Sequence, residues 1–102
     1  MYKLEYLPIA KKDIENILYY IFNDLKNRSA AGNIAKLLLD GAVSACKFPY
    51  GVPVYQFINK LDNEYRCIRI KNYLMFYTIN EENKIVTIVR VLYKKMDIKN
   101  YL

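Results

Sequence analysis

The chain has 102 residues, 54% of them hydrophobic and 25% charged, with three glycines, three prolines and a formal net charge of +6. That is enough chain for one hydrophobic core, a single domain over 1–102, and the composition excludes a collagen, a disordered tail or a low-complexity linker. No window approaches 18 uncharged apolar residues, which excludes a membrane-spanning helix, and the absence of histidine removes Ser–His and Cys–His triads, imidazole bases and most zinc sites.

Tyr2–Tyr6 alternates in polarity and predicts a short strand. The first residues lack the apolar run of a secretory leader, so a cytoplasmic protein is expected. Pro8 suits a first helical turn, where its missing N–H would have no partner anyway. Ile14, Ile17, Leu18, Ile21 and Leu25 then recur at three- and four-residue steps, giving one apolar helical face that ends around Asn23–Asn27. Ser29 is the expected N-cap of a second helix. There Ala31, Ile34, Leu38, Gly41, Ala45 and Phe48 repeat the spacing, and the small residues at 31, 41 and 45 predict close approach to the first helix. At under three heptads the pair reads as an antiparallel hairpin, stopped by Pro49. Residues 49–64 are irregular apart from a small strand expected near Val54–Ile58, and either function or simple connection fits so long a loop.

Tyr65–Lys71 alternates, whereas Tyr73–Asn80 and Ile85–Leu92 are apolar on both faces, with the polar turn Glu81-Glu82-Asn83-Lys84 between them. Short connections predict antiparallel hairpins. The expected fold is α+β: an N-terminal strand and a two-helix antiparallel hairpin packed on one face of a small, mainly antiparallel sheet. Strict alternation puts Met75, Tyr77, Ile79, Ile85, Thr87, Val89 and Val91 under the helices. Leu74, Phe76, Val86, Ile88 and Leu92 are then left on the far face, beside Cys67, Arg69 and Arg90. A wet face should alternate with polar residues. This one does not, so another polypeptide or a substrate is expected to cover it, the alternatives being a homodimer or the C-terminal segment 93–102.

Charge adds direction. Residues 66–102 carry eight Lys/Arg against three Asp/Glu, while 1–65 carry eight against seven, so the C-terminal third favours an anionic partner. The bland reading of Arg69 and Arg90 is surface pairing with Glu64, Glu81 or Glu82. Cys46 and Cys67 lack metal-ligand spacing and are expected as reduced thiols; no metal and no cofactor are expected.

The C-terminal half carries an ordered set: Tyr65-Arg66, Ile68-Arg69-Ile70, Asn72-Tyr73, Phe76-Tyr77, an acidic turn, then Ile88 and Arg90-Val91-Leu92-Tyr93-Lys94-Lys95-Met96-Asp97. This resembles the RelE/ParE superfamily of bacterial type II toxins. Ala10, Asp13-Ile14, Ile17 and Tyr20-Ile21 resemble the family's first helix, and Phe48-Pro49-Tyr50-Gly51 the turn after its second. The resemblance implies a small basic plasmid-stabilisation-type toxin that arrests growth. It also implies neutralisation by a cognate antitoxin, whose extended segment and helix wrap the hairpin and sheet, in a heterotetramer or larger complex and with no membrane involved. Arg66, Cys67, Arg69, Leu74, Phe76, Val86, Ile88, Arg90, Leu92 and Lys95 are the expected antitoxin- or target-binding residues.

Two targets follow from the resemblance. ParE-like members poison DNA gyrase, whereas RelE-like members cleave messenger RNA on the ribosome. Cleavage would have a ribose 2′-OH attack the adjacent phosphate, with cations neutralising the phosphorane and nearby groups moving protons. Arg69, Arg90, Tyr93 and Lys94 would then be catalytic, with Tyr101 near the position of a terminal tyrosine. Two departures weigh against this: Leu74 stands where the nuclease pattern usually has arginine, and Lys94, which lacks the bidentate fork, stands where it has another. The long hairpin and the Arg-Val-Leu-Tyr ending favour the ParE-like reading. A plain nucleic-acid-binding module is the weakest alternative, since no aromatics ordered for base stacking are evident.

Overall fold

The computed structural model describes residues 1–55 and 64–102. Strand β1 (Lys3–Tyr6) leads through Leu7 into helix α1 (Pro8–Tyr19), with Pro8 in the first turn as its fixed φ allows. At Tyr20–Asp24 the helix widens into a π-turn, in which the Leu25 N–H donates to the Tyr20 carbonyl five residues back at 3.1 Å. Widening rotates the end of the apolar face, leaving Tyr20, Phe22 and Leu25 exposed while Ile21 stays buried. Helix α2 (Arg28–Lys47) is capped by Asn27, not by Ser29: the Asn27 side chain accepts from the Ala30 N–H at 3.0 Å. Asn is as good a cap as Ser, and the helix starts two residues earlier than expected, just after Lys26, which adopts a left-handed φ of 50°.

Strands β2 (Arg66–Ile70), β3 (Tyr73–Asn80) and β4 (Ile85–Tyr93) form the expected meander. The sheet order is β1-β4-β3-β2, with β1 parallel to β4 and the other pairs antiparallel. Of the strand expected at Val54–Ile58, Val54 makes an isolated bridge to Arg66, and residues from 56 onward lie outside the described residues.

The hairpin covers one face of the sheet, and the core there joins Ala10, Ile21, Ile34, Leu38 and Cys46 to Met75, Tyr77, Val86, Ile88 and Val91. The small residue Gly41 faces the sheet rather than α1. A Cβ placed there would lie 2.8 Å from Ile70 Cδ1 and 2.9 Å from Met75 Cε. The Tyr77 hydroxyl donates to the Pro49 carbonyl at 2.7 Å, which satisfies its polar end in the core.

The far face does not match the sequence expectation. Phe76 pairs with Arg90 but Tyr77 pairs with Ile88, so Val89 is an extra residue in β4. This bulge reverses the alternation of one half of the strand relative to the other. Val86 and Ile88 therefore lie under the helices, fully buried, while Val89 turns to the far face. That face is not open either. Leu74, Phe76, Val89 and Leu92 are buried with Ile98, from the short 3-10 turn at Ile98–Asn100, and Tyr55, Tyr65 and Leu102 pack around them. The C-terminal segment roofs the second face, so the uncovered apolar face predicted from alternation does not exist.

Candidate functional site

Arg90 sits just past the bulge, and its side chain reaches the edge of β4 to meet Asp13 of α1. Its Nε and one terminal nitrogen donate to the two Asp13 oxygens at 2.8 and 2.9 Å, and the Val91 N–H donates to Oδ2 at 3.0 Å. Both side chains are nearly buried, at 15% and 12% exposure. Bonding to Asp13 raises the Arg90 pKa above its ordinary value. The remaining guanidinium nitrogen donates to the Tyr101 carbonyl at 3.1 Å, and the Tyr101 ring lies 5.5 Å from the guanidinium. Arg90 thus ties α1, β4 and the C-terminal tail together, and does not pair with Glu81 or Glu82.

The other expected residues scatter. Arg66 donates to the Val52 carbonyl and lies 4.9 Å over the Tyr50 ring. Arg69 is exposed on β2, opposite Leu74 and so on the far face. Tyr93 pairs with Tyr73, edge to face at 5.9 Å, and so lies on the helix face, at 39% exposure. Lys94 and Lys95 are exposed in the turn after β4, where the Lys94 N–H donates to the Asn72 carbonyl at 2.8 Å. Cys67 is half-buried and burial pushes its thiol up to about 11, so it is a poor nucleophile. Leu74, Phe76 and Leu92 lie beneath the tail, and Val86 and Ile88 beneath the helices, out of reach of any partner while the chain keeps this packing.

The structure therefore brings Arg69, Lys94, Lys95 and Lys71 toward the end of the sheet at the β2–β3 turn, but places Arg69 and Tyr93 on opposite faces. Cations at such an end can hold an anionic partner. Among the described residues no cluster of three His, Cys, Asp or Glu suited to a metal occurs. No described helix is long and apolar enough to cross a membrane.

Sequence reading missed Asp13 as the partner of Arg90. It also missed a cluster on Glu81, whose carboxylate accepts from the Tyr2 and Tyr50 hydroxyls and binds Lys84. The acid and lysine three apart in one turn were a local signal for part of that cluster; nothing local pointed to the two tyrosines. An apolar groove also runs along the hairpin, lined by Leu18, Tyr19, Phe22, Ala31, Gly32 and Ala35.

A strand, two helices and a three-strand meander with the first strand parallel to the last define the RelE/ParE-like fold, and solved structures of that class superpose on the chain. The chromosomal ParDE toxin–antitoxin system of P. aeruginosa contributes one with a TM-score of 0.68 and 13% identity, covering 91% of this chain and 96% of that one. The intact RelBE complex of E. coli contributes another, with a TM-score of 0.55, 15% identity, and 94% and 100% coverage. A RelBE2 complex from Mycobacterium tuberculosis gives 0.51, 18%, and 90% and 96%. No curated protein sequence matches the chain. The family model for the ParE toxin of the type II toxin–antitoxin system parDE matches residues 4–98, and the chain belongs to that family.

Proposed function

We propose that this ParE-family toxin arrests bacterial growth in the cytoplasm by inhibiting DNA gyrase, and that a cognate antitoxin neutralises it. The observation that carries the choice of target is the commitment of Arg90 to Asp13 and Tyr101. Cleavage of RNA by its own 2′-OH needs cations and proton-transfer groups converging on one phosphate. Here one of the candidate cations is held inside the fold, and Arg69 and Tyr93 face opposite ways. A surface that binds and poisons a protein target fits better, with Arg69, Lys94 and Lys95 as its exposed cations. The antitoxin reading is supported by structural relatives solved as toxin–antitoxin complexes, and by the exposed apolar groove on the hairpin, which suits a partner's helix.

Induced expression of the protein alone is expected to stop growth; a small acidic protein is expected to be encoded in the neighbouring reading frame, and its co-expression to restore growth. Purified protein is expected to block supercoiling by gyrase and leave messages in arrested cells uncut. Codon-phased cuts with normal supercoiling would overturn the gyrase reading in favour of ribosome-dependent cleavage.

A further inference from the structure

Strand β4 runs on to Tyr93, past the end of its pairing with β1 at Ile88, and its outer edge there has no neighbouring strand among the described residues. The Lys94 N–H donates to the Asn72 carbonyl, which makes Leu92 and Leu74 the next mutually bonded pair and turns the backbone groups of Val91 and Tyr93 outward. Asp13 accepts from the Val91 N–H at 3.0 Å, and the Met96 N–H donates to the Tyr93 carbonyl at 3.0 Å. The Val91 carbonyl and the Tyr93 N–H are left without a partner among the described residues. One acceptor and one donor thus stand in line on the wall of a cleft of about 670 Å³ between α1, the π-turn and β4. That volume is typical of a small-molecule site.

The rest of the lining is rich in aromatic surface. Tyr73 and Tyr93 meet edge to face at 5.9 Å. Burial first, then Tyr93 and Tyr20 nearby, push the Tyr73 pKa up, so three phenols gather at this wall. Tyr20 and Tyr93 line the cleft yet stay 49% and 39% exposed. The π-turn brings Tyr20 and Leu25 here instead of burying them, and single π-turns are frequent at functional sites. Cations flank the lining: Lys71 precedes Asn72, and Lys94 and Lys95 separate Tyr93 from Met96. Lys71 holds a left-handed φ of 54°, which glycine or asparagine adopts more readily, so its charge is kept at a conformational cost. The acids there are engaged, Asp13 by Arg90 and Asp97 by the Asn100 amide at 2.7 Å.

A flat ring system with a donor and an acceptor on one edge, and an anion attached, matches these features together. Adenine has that edge, an exocyclic N–H beside a ring nitrogen that accepts, and it stacks on tyrosine. Guanine would bring a further exocyclic donor to a wall whose other acceptors, Asp13 and the Tyr93 carbonyl, are already engaged.

We propose that this cleft binds an adenine mononucleotide, its base bonded to the Val91 carbonyl and the Tyr93 N–H beside the tyrosine rings, and its phosphate held by Lys71 and Lys94. The probe is adenosine 5′-monophosphate, titrated into the whole protein by calorimetry. Saturation should slow hydrogen exchange at the Tyr93 amide about tenfold and leave the Cys67–Ile70 amides unchanged. Guanosine 5′-monophosphate should bind about tenfold more weakly, and adenosine, which lacks the phosphate, about fivefold more weakly. Lys71→Asn, at ease in left-handed backbone, should narrow the gap between the nucleotide and adenosine while leaving adenosine binding unchanged. Asn16→Trp in the cleft wall should weaken the nucleotide about tenfold, with circular dichroism verifying that the variant folds. No binding at millimolar nucleotide, equal binding of the guanosine nucleotide, undiminished binding by Asn16→Trp, protection at β2 or the hairpin instead of Tyr93, or tighter binding of an oligoadenylate than of the mononucleotide would overturn the proposal. Growth arrest and rescue are read in other assays, so their failure strikes the toxin reading and leaves this site standing.

Discussion

Glu81 is solvent-exposed, yet bonds from Lys84 first, then from Tyr2 and Tyr50, hold its carboxyl down from 4.5 to about 2. A carboxyl depressed by folding stabilises the native state above its unfolded pKa, and that contribution disappears as pH falls through the folded value. The melting temperature is therefore expected to drop more steeply between about pH 4.5 and 2 in the wild type than in Glu81→Gln. Parallel curves from a calorimetric pH series would show that the cluster does not form in solution. At this scale the sequence was legible only where partners are near in the chain. Glu81 and Lys84 share one turn, but Tyr2 lies 79 residues from Glu81, and Asp13 lies 77 from Arg90. Tyrosine type did not sort the residues either: Tyr77 is core, as packing would suggest, while Tyr2 and Tyr50 present their hydroxyls to a surface acid.

The two glycines of α2 have opposite surroundings. Nothing lies within 4 Å of a Cβ built on Gly32, whereas Gly41 presses on Ile70 and Met75. Those two contacts are free side-chain ends, and alanine is favoured over glycine in a helix by about 1 kcal/mol. Gly41→Ala is thus expected to stay within about 1 kcal/mol of wild type in urea unfolding. Gly41→Leu should cost about 1–3 kcal/mol through overpacking against β2 and β3. Equal stability of the leucine variant would contradict the close approach of α2 to the sheet. Apolar spacing made both helices and the meander readable, because one buried stripe imposes its period on the sequence. The bulge at Val89 was not readable: Ile85–Leu92 is apolar on both sides, so its pattern carries no mark of which face each residue takes.

Across the whole molecule, two layers of covering enclose the sheet, the hairpin on one side and the chain's own tail on the other. Ile98 is the tail's buried anchor against Leu74, Phe76 and Leu92. Ile98→Ala is expected to cost about 2–4 kcal/mol. It should also raise binding of a hydrophobic dye, since the roof then holds less firmly over the apolar face. Unchanged stability and dye binding would mean that the far face is covered by something else.

Composition, periodicity and the ordered motifs sufficed for the α+β class, the hairpin, the meander and the family, since these depend on local period and on residue types at short spacing. Folding decided how the faces are dressed. One extra residue in β4 turned Val86 and Ile88 inward, a tail of unremarkable sequence closed over the far side, and Arg90 found an acid from the other end of the chain. Each outcome depends on which distant segments meet, and a linear pattern of polarity encodes the need for burial without naming the segment that provides it.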